Sequence, residues 1–178
     1  WKEAPGWQLP CMPSDDGPVA RIRPLVPEDR AAVARIVEVA GNFSPVEIEC
    51  ALELVDTYIR DRNQKDYRVL VAEDKLGSVR AYACWGPTPL TRGTYDLYWI
   101  ATDPQVQGQG FGRSLMQHIE AGVNKESGRL LIIETSSKDS YRSAVEFYRR
   151  LGYQEASRIR DFYDVGDDKL VLEKRVTR

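Results

Sequence analysis

Apolar and polar positions along this chain change their period repeatedly, and each change predicts an element. Ile22 and Leu25 stand between Arg21 and Arg23, which reads as a short first strand at about 20–26. Pro27, Glu28 and Asp29 then open a helix with acids in its first turn. Val33, Ile36, Val37 and Ala40 recur at helical spacing, and Gly41 ends the run. Ser44, Pro45 and Glu47 form a capping box with proline at the first helical position. The helix they start carries Ala51, Leu54, Val55, Tyr58 and Ile59 on one stripe and should reach about residue 62. Runs at 67–73 and 78–85, separated by a turn at 74–77, predict a hairpin. Another strand runs over 94–102, followed by a helix from about 110 to 124 with Phe111, Leu115, Ile119 and Val123 facing the core. A buried strand at 129–135 leads to a helix at about 140–151, which Gly152 stops. Two last strands, 153–163 and 169–176, flank an acidic turn.

The order βααβββαβαββ predicts one α/β domain over 19–178, a mixed, mostly antiparallel twisted sheet with helices on both faces. Residues 1–18 precede it, with four prolines that exclude a regular helix or central strand. Strict alternation along 94–102 puts Asp96, Tyr98 and Ile100 on one face and Tyr95, Leu97 and Trp99 on the other.

The junction after residue 102 is the chemically distinctive stretch. Gln105, Gly108 and Gly110 give Q-x-x-G-x-G, with Gly112 two further on, between a strand and a helix. Glycine permits positive φ and a close backbone approach, and successive N–H groups at a helix N-terminus form an anion nest. Composition narrows the choice of anion. With 178 residues, 42% hydrophobic and 29% charged, the chain reads as globular. A net charge of −2 gives no general basic field for nucleic acid. No apolar run is long enough to cross a bilayer. The first residues lack the basic-then-apolar pattern of a secretory leader, and three scattered cysteines form no disulfide framework, so the cytoplasm is the expected location. The lone His118, inside the glycine-led helix, rules out a multi-histidine metal site; no metal is expected.

The Q-x-x-G-x-G motif resembles the acyl-CoA signature of the GCN5-related N-acetyltransferases, the GNAT superfamily. Phe147, Tyr148, Gly152 and Tyr153 look like that family's later F-Y-x-x-x-G-F/Y motif, and the element order agrees over about 20–176. The resemblance implies acetyl-CoA as acyl donor, lying where the strands at 94–102 and 129–135 splay apart. It further implies that Ile100, Ala101 and Thr102 pair with the pantetheine. N–H groups of Gln105, Val106, Gln107, Gly108, Gln109, Gly110, Phe111, Gly112 and Arg113 would then surround the pyrophosphate. Lys138 and Arg142 join Arg113 as candidates for the nucleotide phosphates. Tyr148 matches the family's general acid. Glu134 matches a base used by some relatives, and Asp96 is the other candidate. Tyr141 replaces an asparagine common at that position, so Tyr141 or Ser143 would make the corresponding CoA contact.

The acceptor pocket is expected to draw on Phe43, Glu47, Trp85, Tyr98 and Tyr163, a set of aromatics and acids that favours a cationic small-molecule or peptide amine. A homodimer is left open, and no nucleic-acid or membrane partner is expected. Two other readings are open to the sequence. One is a non-catalytic acyl-CoA sensor. The other is a dinucleotide site with Glu134 on the ribose, which the G-x-G-x-G spacing disfavours.

Overall fold

The computed structural model of the protein describes residues 17–61 and 63–176. The expectations for the extension fall almost wholly outside them. Seven strands form one sheet: β1 (Val19–Pro24), β2 (Arg68–Asp74), β3 (Val79–Pro87), β4 (Thr94–Thr102), β5 (Leu130–Ser136), β6 (Gln154–Asp164) and β7 (Asp167–Arg175). The helices are α1 (Arg30–Val39), α2 (Pro45–Arg60), α3 (Phe111–Lys125) and α4 (Arg142–Arg150). Element order and types agree with the sequence pattern, with boundaries shifted by one or two residues. The capping box is present: Ser44 Oγ accepts from the Glu47 N–H, and the Glu47 carboxylate accepts from the Ser44 N–H.

The strands lie in the order β1-β2-β3-β4-β5-β7-β6. Every neighbouring pair is antiparallel except β4–β5. A single parallel pair is not a doubly wound nucleotide fold, so the dinucleotide reading is set aside. Apolar residues of α3, with Tyr148 of α4, cover one face: Phe111, Leu115, Met116, Ile119 and Val123 pack on Leu97, Leu131 and Ile133. Val33, Ile36 and Val37 of α1 and Ala51 and Val55 of α2 cover the other, against Val69, Val71, Tyr82 and Ala101. Strand β6 is exposed throughout, because it is the sheet's last strand.

One expectation fails inside β4. Cys84 pairs with Trp99 but Trp85 pairs with Leu97, so Tyr98 is an extra residue and β4 carries a bulge there. The bulge reverses the alternation. Trp99 joins Tyr98 on the α1/α2 face, and Ile100 joins Tyr95 and Leu97 on the α3 face. A period of two cannot reveal an inserted residue; only the partner strand does.

Candidate active site

Strands β4 and β5 pair only from Thr94↔Leu130 to Leu97↔Ile133. Beyond that point β4 stays bonded to β3 through Thr102, and β5 stays bonded to β7 through Ser136. The two strands therefore part, and the β5-facing backbone of Ile100, Ala101 and Thr102 lacks a strand partner. The divergence begins at the Tyr98 bulge, where the added residue bends the strand.

The glycine loop closes one end of this cleft. A short 3-10 turn, Pro104–Val106, leads into Gly108 at φ 78° and Gly110 at φ 96°, the latter capping α3. A Cβ at either position would meet nothing within 4 Å, so both are glycine for their backbone angle and leave open space above it. Gly112 differs. Its Cβ would stand 3.3 Å from the Phe147 ring and 3.6 Å from Thr102 Oγ1. It is small so that α4 can lie against the start of α3. Among the described residues, the N–H groups of Gly108, Gly110, Phe111, Gly112 and Arg113 have no backbone acceptor. Those of Val106, Gln107 and Gln109 are bonded within the turn, so the anion nest is narrower than the expected span. Gln105 N–H is likewise taken, by Asp103. Arg113 is exposed and unpaired among the described residues. Lys138 pairs with Asp167, and Arg142 forms an exposed pair with Asp139.

The acids lie on the α1/α2 face of the cleft. Asp96 stands across from Ile132, and Glu134 is two residues further along β5, hence on the same face. Asp96 is partly buried, and its carboxylate accepts the Thr88 hydroxyl at 2.7 Å. Burial raises its pKa, opposed by that hydrogen bond; Glu134 adds to the rise and Lys169 reduces it. Glu134 is exposed but holds Lys169 Nζ at 2.5 Å. The same Lys169 lies 4.8 Å over the Phe162 ring, beside Tyr163. Tyr98 packs edge-on against Tyr67 at 5.5 Å, and burial pushes its hydroxyl up to about 12.

Phe43, from the α1–α2 loop, packs edge-on to Trp99 at 5.4 Å and to Tyr141 at 6.5 Å. The Tyr141 hydroxyl donates to Glu47 at 2.6 Å. Burial pushes the Glu47 carboxyl up, but the Tyr141 and Ser44 hydrogen bonds and nearby Lys138 outweigh it and hold it below its usual value. The loop is thus tied to the turn before α4. Of the two residues expected against CoA, Tyr141 donates its hydroxyl to Glu47, and Ser143 is exposed on the first turn of α4.

Tyr148 is buried in α4, 6.0 Å from Tyr153 and 5.3 Å from Phe147. Its hydroxyl has no hydrogen-bond partner among the described residues, and burial drives its pKa well above the phenolic value. It is therefore a protonated hydroxyl at neutral pH. Trp85 does not join the site. It is 4% exposed on the α3 face, against Tyr95 at 5.7 Å, with Arg68 5.0 Å over its ring. Alternation along β3 puts it there with Ala81 and Ala83, opposite the Asp96 face. His118 is half-buried on α3, and burial lowers its pKa. No group of three His, Cys, Asp or Glu side chains able to hold a metal occurs among the described residues.

Three contributors escaped sequence reasoning. Asp103, 1% exposed, accepts from the Gln105 N–H at 3.0 Å, from Arg35 at 2.9 Å and from Arg80 at 3.2 Å. It fastens the glycine loop to α1 and β3. Asp before Pro was a visible cap signal, but its arginines are 68 and 23 residues away. Thr88 and Lys169 carried no local signal at all.

A splayed parallel pair, a glycine turn with free N–H groups and a helix packed beside it together define an acyl-CoA transferase fold. The model of the acetyltransferase (GNAT) domain matches residues 65–155. The chain belongs to the GNAT family of N-acetyltransferases. A crystal structure of a GNAT-family protein from Desulfovibrio desulfuricans superposes with a TM-score of 0.83 and 40% identity, covering 88% of this chain and 99% of that one. Ribosomal protein bS18-alanine N-acetyltransferase of Escherichia coli K12 is 33% identical over 73 residues, 41% of this chain and 48% of that protein. S-(2-succino)cysteine N-acetyltransferase of Bacillus subtilis is 28% identical over 69 residues, 39% and 42% of the two. The chain spans about half the length of these curated relatives or less.

Proposed function

We propose that this protein transfers an acetyl group from acetyl-CoA to a cationic small-molecule or peptide amine. The observation that carries the reading is the cleft where β4 and β5 part. Free N–H groups line one end of it, two carboxylates lie on the α1/α2 face, and a buried phenol sits on the helix packed beside the glycine loop. The donor set suits the co-substrate. Unpaired N–H groups of Gly108, Gly110, Phe111, Gly112 and Arg113 at the start of α3 suit a pyrophosphate, and the unpaired edge of Ile100, Ala101 and Thr102 suits the amides of pantetheine. No helix among the described residues is long and apolar enough to cross a membrane.

In the reaction the acceptor ammonium, with an ordinary pKa of about 10.4 if lysine-like, gives a proton to a carboxylate, Asp96 or Glu134. The free nitrogen attacks the thioester carbon, and the C–N bond forms as negative charge gathers on the carbonyl oxygen. An N–H on the open edge of β4 meets that charge. As the C–S bond breaks, the thiolate takes the proton of Tyr148. The nitrogen's remaining excess proton returns to the tyrosinate, so one proton per turnover reaches solvent. Phe43, Tyr98 and Tyr163 supply aromatic surface for the acceptor, and Glu134 a charge that favours a cation.

The names of the relatives give a ribosomal protein's alanine and S-(2-succino)cysteine as acceptors, one in a protein and one a modified amino acid. A thermal-shift and acetyl-transfer panel of polyamines, amino acids, aminoglycosides and lysine- or alanine-terminated peptides tests the proposal. Transfer to cationic amines is expected. Preference for neutral or anionic acceptors refutes the acceptor class, and tight acetyl-CoA binding without transfer to any amine establishes a sensor instead.

A further inference from the structure

We infer that Thr88 is a positioning residue that aims the Asp96 carboxylate at the acceptor amine, and that Asp96 rather than Glu134 takes its proton. This rests on the acetyl-transfer reading above. Gly86 pairs with Asp96 across β3 and β4, and Thr88 lies two residues further, on the same face. Both backbone groups of Thr88 are fixed. Its N–H donates to the Thr94 carbonyl at 2.9 Å, and its own carbonyl accepts the Thr91 hydroxyl at 2.8 Å. A residue held at both ends has little freedom in where its side chain starts. Its hydroxyl reaches Asp96 Oδ2 at 2.7 Å, and Oδ1 has no partner among the described residues. The position directly opposite Asp96 carries no side chain. A Cβ on Gly86 would stand 1.9 Å from the Asp66 carbonyl oxygen. The carboxylate thus has one oxygen anchored and one free.

Glu134 is placed differently. Lys169 Nζ holds its Oε2 at 2.5 Å, and the lysine is itself seated over Phe162. Protonating Glu134 would forfeit that ion pair, whereas protonating Asp96 forfeits only part of a hydrogen bond from a neutral hydroxyl. Glu134 and Lys169 then act as a fixed pair at the rim of the acceptor site. The charged and titratable groups that face Asp96 are Glu134 from β5, Lys169 from β7 and Tyr98 on its own strand. In the step itself, one N–H bond of the ammonium breaks and an O–H bond forms on Asp96 Oδ1. That proton leaves to solvent after the C–N bond has formed.

The test is the pH dependence of kcat/KM with an acceptor from the panel, in Thr88→Val, Thr88→Ser, Asp96→Asn and Glu134→Gln. The Thr88 hydrogen bond favours the ionised carboxylate, so its loss raises the Asp96 pKa. In Thr88→Val the acid limb should move to higher pH by about one unit. Thr88→Ser should return it. Asp96→Asn should lose about 10²–10⁴-fold in kcat, and Glu134→Gln should raise the acceptor KM with the acid limb still present. A ¹³C-carboxyl NMR titration of Asp96 in Thr88→Val should report the same upward move without turnover. Transfer with an acid limb unmoved in Thr88→Val, or a limb that vanishes in Glu134→Gln and persists in Asp96→Asn, overturns this assignment alone. No transfer by the wild-type chain to any amine overturns the functional reading and this assignment with it.

Discussion

Asp103→Asn isolates what the buried acid before the glycine loop contributes. The amide keeps the shape and still accepts from the Gln105 N–H, but it gives up the charge that holds Arg35 and Arg80. Arg80 is 23% exposed and also pairs with Asp74, so it keeps one acid partner; Arg35 is 46% exposed and loses its only ion pair among the described residues. A hydrogen bond to a charged group contributes about 1.5–3 kcal/mol when desolvated and about 0.2–1 kcal/mol when exposed. The two partners lie between these limits, which puts the loss at about 2 kcal/mol. For a chain of this size that is a fall in Tm of about 4–8 °C. The pH dependence gives a second handle. Burial pushes the Asp103 carboxyl up, but the Gln105 N–H and the two arginines outweigh it and hold its pKa below the usual 3.8. A depressed folded pKa stabilises above the unfolded value, and the contribution disappears as pH falls through the folded one. Urea unfolding at pH 7 and at steps from pH 5 to 3 should therefore show a constant gap down to about pH 4, then convergence of the two proteins. A gap under about 0.5 kcal/mol at pH 7, or one that persists undiminished at pH 3, would refute the charge argument. Acetyl-CoA KM should rise in the variant, since the loop has lost its tether.

Tyr148→Phe should lower kcat about 10²–10⁴-fold while stability stays within about 1 kcal/mol, because the hydroxyl has no partner to lose; steady-state kinetics and urea unfolding check both. Tyr141→Phe frees Glu47, so its carboxyl rises toward the ordinary value. The wild-type chain should then lose more stability than the variant as pH falls below about 4.5, read by thermal unfolding across pH 6 to 3. Trp85→Phe should cost about 1–2 kcal/mol in unfolding experiments yet leave acceptor KM unchanged, since the indole packs against Tyr95 and Gly122 rather than the acceptor. A changed acceptor KM would return Trp85 to the pocket.

What the sequence alone determined about this protein is local. The glycine loop was legible because positive φ at Gly108 and Gly110 is demanded within four residues of chain, and glycine meets that demand best. The capping box at Ser44 and the apolar stripe of α3 were legible for the same reason: their partners lie three or four residues away. The second motif, read with the loop, was enough to name the family.

The tertiary structure decided everything that depends on a distant partner. The bulge at Tyr98 exists only relative to β3, and it alone moved Trp99 and Ile100 to faces that alternation had assigned otherwise. The partners of the acids were settled in the same way. Glu134 is held by Lys169 from β7, Glu47 by Tyr141 across the fold, and Asp103 by arginines on α1 and β3. Local preference reaches about one helical turn along the chain, whereas these pairings are made by strand register and helix docking, which bring together residues that leave no periodic trace of one another.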